Sequence, residues 1–129
     1  MCIRDSICGL VDSFSVSGCL HIVLEFCGGG DLFDYLASLP GRVLEDAEAG
    51  PCMAQLLSAI SFLHERGVVH CDVKPENILL ETSEACTRLK LADFGLARIC
   101  ASGSWCHGCF GTGALFGTRG LGGAVQRVV

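Results

Sequence analysis

The sequence is short of several things at once. No apolar run approaches the ~18–20 residues that a helix needs to cross a bilayer; the longest, residues 20–26 and 53–63, are interrupted or patterned as helix. Basic residues are not in excess. Nine Lys and Arg against fourteen Asp and Glu leave a net charge of −5, which argues against a nucleic-acid surface. Residues 1–6 have no apolar stretch behind them of the kind a secretory leader requires. Paired metal-ligand spacings are missing too. The ten cysteines are scattered, with one close pair at Cys106 and Cys109, which is half a zinc site. Without a leader, reduced thiols in an intracellular, cytoplasmic protein are expected rather than a disulfide framework.

What is present suffices for one small domain: 129 residues, half of them apolar. Residues 7–26 read as two strands joined by Ser17-Gly18, the second mostly buried. Three glycines follow, 28–30. No strand-flanked G-x-G-x-x-G or G-x-x-x-x-G-K-[ST] pattern surrounds them, so they read as a flexible linker rather than a phosphate cradle. Asp31 is placed to cap a short helix carrying Leu32, Phe33, Leu36 and Leu39. Met53, Leu56, Leu57, Ile60 and Leu63 recur at helical spacing and predict a long helix within residues 45–66, stopped by Gly67. Gly50-Pro51 predicts a kinked or broken start to it. Residues 78–80 and 89–92 read as a hairpin. The expected class is α+β.

The densest chemistry lies at residues 70–77, H-x-D-x-K-P-x-N, followed by Asp93-Phe94-Gly95. The two motifs, in this order and at this gap, resemble the catalytic loop and metal-binding loop of eukaryotic-type protein kinases. Lys74-Pro75-Glu76 is similar to the serine/threonine branch. The resemblance implies a fragment of the two-lobed kinase fold: the end of the N-lobe sheet, the hinge, and the first part of the helical C-lobe. The residues from 25 to 36 and the long hairpin resemble the calcium/calmodulin-dependent group.

The resemblance also implies roles. Asp72 orients a protein Ser or Thr hydroxyl and accepts its proton, and Lys74 holds the transferring phosphoryl. Asn77 and Asp93 supply oxygen ligands for Mg²⁺, with Gly95 giving the backbone freedom that places Asp93. Leu24 (gatekeeper), Glu25 and Cys27 (hinge), Asp31 (ribose), Glu76 and Leu79 (adenine floor) line the ATP site. His70 reads as a packing and hydrogen-bonding residue. Cys71 stands where kinases usually carry an arginine that pairs with an activation-segment phosphate. Control by such a phosphate is therefore expected to be weak.

The resemblance has edges. The Gly-rich loop, the V-A-I-K lysine and its glutamate partner are not found. Residues 1–6 read as a translated sequencing adapter, so the gene is expected to continue upstream. After Gly111-Thr112 the expected continuation to A-P-E does not come. Permitted codons for residues 114–120, read one base later, give L-Y-L-A-P-E, so residues 113–129 read as a frameshifted or disordered tail. The kinase segment is thus residues 7–112. The expectation is a partial serine/threonine protein kinase, ATP- and Mg²⁺-dependent in complete form; the alternative is a non-catalytic kinase-like binding module.

Overall fold

The computed structural model describes residues 3–84 and 88–100, together with the backbone of residues 105–107 and 125–127. Leu10, Val11, Phe14 and Val16 lie in strand β1 (Leu10–Val16), which pairs antiparallel with β2 (Cys19–Leu24). Val16 sits opposite Cys19, so the connection is the two-residue turn Ser17-Gly18, with φ 51° and 79°. Positive φ at both positions matches the right-handed twist of the strands. The expectation of a mostly buried second strand is not met. Every residue of both strands is exposed, including Leu20 at 67% and Ile22 at 60%. No described element covers either face of this hairpin, so alternation and β-propensity formed the strands without burying them.

After β2 the chain runs back beside the central hairpin. Asp31 begins α1 (Leu32–Ser38): its Oδ1 accepts from the Asp34 N–H at 2.8 Å, the cap expected from sequence. The helix α2 (Asp46–His64) is 19 residues long and runs through Pro51 without a break, where the sequence predicted a kinked or broken start. Proline lacks one backbone donor and crowds the preceding turn; packing of the rest of the helix outweighs that local penalty. The buried face also differs from the predicted apolar stripe. Cys52, Gln55, Ala59 and Leu63 face the core, while Met53 and Leu57 are 51% and 58% exposed. The helix is rotated toward its small and polar residues because Gln55 Oε1 accepts the Leu89 N–H at 3.1 Å.

Beyond α2, the short strand β3 (Val68–Val69) leads to the loop at 70–77, and β4 (Ile78–Leu80) pairs with β5 (Leu89–Leu91). Leu80 and Leu91 are 0% and 1% exposed and form the centre of the core with Leu32, Cys52, Leu63, Ile78 and Leu89. Strand β6 (Arg98–Ile99) returns to pair with β3. The backbone of β7 (Trp105–His107) pairs with that of β8 (Val125–Arg127), and β8 falls within residues 113–129, which the sequence read as a frameshifted or disordered tail. The rest of residues 113–129, and the side chains of Cys106, His107 and Cys109, lie outside the described residues.

The linker glycines are not a flexible exit. Gly28 N–H donates to Glu81 O, Gly29 N–H to Leu80 O, and Leu80 N–H to Gly30 O, at 3.1, 3.0 and 2.9 Å. A Cβ on Gly29 would lie 2.2 Å from Thr82 O. Glycine is needed there for close backbone approach. The cysteines also depart from expectation: Cys8, Cys19, Cys27 and Cys71 are free thiols, whereas Cys52 and Cys100 are disulfide-bonded. Spacing in sequence carries no information about which sulfurs the fold brings together.

Candidate active site

The loop at 70–77 is held from below by the core. His70 is 3% exposed, and its Nε2 lies 2.9 Å from Ala92 O. Its Nδ1 accepts the Asp72 N–H at 3.3 Å, and its ring meets Phe94 edge-on at 4.8 Å. His70 therefore joins the catalytic-loop segment to the Asp93-Phe94-Gly95 segment. This is the packing and hydrogen-bonding role expected of it.

Asp72 is 7% exposed, a position where an isolated carboxylate would be strongly disfavoured. Its Oδ2 is 2.9 Å from Lys74 Nζ and accepts from Asn77 Nδ2 at 3.0 Å. Asn77 Nδ2 also donates to the Asp72 carbonyl at 2.9 Å. Both amide protons of Asn77 are thus engaged with Asp72, which leaves its Oδ1 as the acceptor end. The turn Pro75–Asn77 sets this spacing, with Asn77 N–H bonded to Lys74 O at 3.0 Å. The hydrogen bond from Lys74 to Asp72, helped by the charges of Asp72, Glu76 and Asp93, raises the ammonium above its usual 10.5. Lys74 therefore stays charged through neutral pH, and Asp93 lies close enough to act on it.

Two non-glycine residues here occupy the left-handed region: Cys71 at φ 67° and Asp93 at φ 58°. Such conformations cost roughly 1–3 kcal/mol and gather at functional sites. The left-handed turn is thus made by Asp93 itself, where the sequence assigned the backbone freedom to Gly95. Gly95 gives room instead: its N–H donates to Asp93 Oδ1 at 3.2 Å, and a Cβ on it would come within 3.1 Å of that oxygen. Cys71 is buried, with its Sγ toward Val69 O at 3.5 Å. Burial pushes this thiol up, partly offset by Arg98.

Asp72, Lys74, Asn77 and Asp93 come together; the residues assigned to the nucleotide are spread over the end of β2, the linker, the loop at 70–77 and β4. Leu24 is 45% exposed at the end of β2. Asp31 bridges to Leu79, whose side chain alternates away from the buried Ile78 and Leu80. Glu76 is exposed. The Glu25 side chain is engaged: Oε1 takes the Gly9 N–H at 2.6 Å and Oε2 pairs with Lys90 Nζ at 2.8 Å. Sequence reading missed Lys90 and Gln55, both 7% exposed, because polar residues carry no apolar periodicity. Alternation along Leu89-Lys90-Leu91 was the one available signal, since it turns Lys90 to the face opposite its neighbours.

A family model described as the protein kinase domain matches residues 2–118. The chain belongs to the protein kinase domain family. It is 47% identical over 79 residues to the serine/threonine-protein kinase ULK3 of Rattus norvegicus, covering 61% of this chain and 16% of that protein. It is 43% identical over 101 residues to the serine/threonine-protein kinase PEPKR2 of Arabidopsis thaliana, covering 78% and 20%. A CDPK-related kinase 1 from the same plant is 42% identical over 86 residues, covering 67% and 15%. The chain spans about a fifth or less of the length of the relatives it matches. No helix among the described residues is long and apolar enough to cross a membrane.

Proposed function

We propose that this chain carries the phosphoryl-transfer loop of a kinase that moves the γ-phosphoryl group of ATP to Ser and Thr hydroxyls of proteins. The observation that carries the reading is Asp72: a buried carboxylate whose Oδ2 is held by Lys74 and Asn77. Two partners on one oxygen hold the carboxylate in place, and a carboxylate so held can serve as the acceptor of a hydroxyl proton. Lys74, two residues on, brings positive charge to where a phosphoryl group would pass. Asn77 Oδ1 and the Asp93 carboxylate are hard oxygen donors, and that donor set fits Mg²⁺. When bound, the cation would neutralise phosphate charge. Leu24, Glu25, Cys27, Asp31, Glu76 and Leu79 are assigned to the nucleotide on the strength of the motif positions. Residues 7–112 are read as the kinase segment, with 1–6 and 113–129 of other origin; codons of the encoding DNA that forbid the shifted A-P-E reading would overturn that division.

The test is phosphotransfer by the protein from the complete gene. Asp72→Asn keeps the shape of the side chain and removes the proton acceptor. We expect kcat to fall about 10²–10⁴-fold with ATP binding retained. An unchanged kcat would remove Asp72 from the proposed role.

A further inference from the structure

Lys90 is the one charged residue of β5, and it is 7% exposed. The antiparallel register sets it directly opposite Leu79 of β4, and residues paired in this way project from the same face of the hairpin. The other face is filled by Ile78, Leu80, Leu89 and Leu91, which belong to the core. The Lys90 ammonium does not reach into water. It crosses to the residue after β2, where Nζ donates to Glu25 Oε2 at 2.8 Å. The other carboxylate oxygen of Glu25 takes the Gly9 N–H at 2.6 Å, and the Glu25 N–H donates to Gly9 O at 2.9 Å. Glu25 is thus tied to β5 on one side and to the residue before β1 on the other. Further along, Gly28, Gly29 and Gly30 are tied to β4 by backbone hydrogen bonds. Cys27 lies between these two fastenings.

We propose that Lys90 is a positioning residue for adenine: by holding Glu25 it fixes the linker backbone at 25–27 relative to Leu79, and so presets the edge against which the base docks. This deepens the proposed function and rests on it, since that reading assigns Glu25, Cys27 and Leu79 to the nucleotide. Lys90 acts through Glu25 and touches no reacting atom. An ion pair open to water is too mobile and too well solvated to hold a backbone in place. This one is shielded, with the lysine side chain 9% and the glutamate side chain 33% exposed. A linker fastened in advance loses its freedom on folding, so that cost does not recur each time a ligand binds.

The experiment measures equilibrium binding of MgATP and of adenosine by calorimetry, using the protein from the complete gene as parent, Lys90→Met and Lys90→Arg. Adenosine carries the base without the phosphate charge. Lys90→Met should raise the Kd of both ligands about tenfold, the change expected when the binding-ready arrangement of the linker falls to about a tenth of the population. Lys90→Arg can still pair with Glu25 and should restore most of the affinity. Thermal unfolding shows that each variant is folded at the temperature of measurement; should Lys90→Met fail to fold, Lys90→Gln, neutral but still polar, is held to the same expectation. Weakening confined to MgATP overturns the proposal, because it would make Lys90 a charge acting on phosphate. Equal binding by parent and Lys90→Met overturns it too, as does a Lys90→Arg protein no better than Lys90→Met. A parent that binds neither ligand removes the proposed function, and this inference with it, so the two failures are told apart.

Discussion

Asp72 and Lys90 show two solutions to one problem, a charge that the fold places out of water. Asp72 is compensated by a lysine two residues away and an asparagine five away, all on one loop. Lys90 is compensated across the fold, by Glu25 at 2.8 Å. Burial pulls the Lys90 ammonium down, but the hydrogen bond and charge of Glu25, with Glu81 and Cys27, hold it above its usual 10.5. Glu25 is held below its usual 4.5 by the Lys90 hydrogen bond and the Gly9 N–H. A lowered acid contributes stability above its unfolded pKa, lost as pH falls through the folded one. A raised base contributes below its unfolded pKa, lost as pH rises through the folded one. The pair should therefore stabilise evenly from about pH 5 to 10. Glu25→Gln strands the more buried Lys90 and should cost about 1–3 kcal/mol. Lys90→Met leaves Glu25 at the surface with its Gly9 bond and should cost less. Urea unfolding at several pH values checks both; an equal cost, or a Glu25→Gln penalty that persists undiminished well below pH 4.5, would count against this account.

At the scale of elements, the short linker at 28–30 does more than its length suggests. It lies against β4 through three backbone hydrogen bonds and admits no side chain at Gly29. Gly29→Ala should cost about 1–3 kcal/mol and speed amide exchange at Gly29 and Leu80; a variant as stable as the parent would show that the close approach is not required. Helix α2 invites the opposite experiment. Pro51 sits inside it and is exposed, so alanine would restore a backbone donor with no packing change. Pro51→Ala should stabilise by about 1–3 kcal/mol, read as a higher thermal midpoint, and a lower midpoint would mean that proline fits a local bend. These two elements also mark where sequence reading stopped. Three glycines in a row look the same whether they flex or pack, because the difference lies in Thr82 and Leu80, over fifty residues away. Likewise the apolar stripe of α2 was legible, but its rotation was set by Gln55 bonding to Leu89.

For the whole molecule, apolar surface is unevenly distributed. The core around Leu80 and Leu91 is closed, while Val11, Phe14, Val16, Leu20 and Ile22 of the hairpin stand 46–67% exposed. By the register, Phe14 and Val16 lie on one face of the hairpin and Leu20 and Ile22 on the other; exposed apolar residues on both faces drive association, so the isolated chain should be prone to aggregate. Leu20→Lys with Ile22→Lys should raise solubility while shifting stability by less than about 0.5 kcal/mol each. Light scattering and thermal unfolding measure the two; a large loss of stability would mean that the face is covered after all.

The sequence alone was enough to point to the family. Asp72, Lys74, Asn77 and Asp93, to which we assign phosphoryl transfer, stand out by residue type and spacing, because that chemistry needs a proton acceptor, a cation and hard oxygen ligands along a loop. The cap at Asp31, the hairpin at Ser17-Gly18 and the long helix were also legible, since each rests on a local rule. Only the tertiary structure decided the rest: that Asn77 gives its side-chain amide to Asp72, that Asp93 rather than Gly95 makes the left-handed turn, and that Lys90 meets Glu25. Each is a contact between groups whose proximity depends on how the chain folds back, and no local pattern encodes that distance.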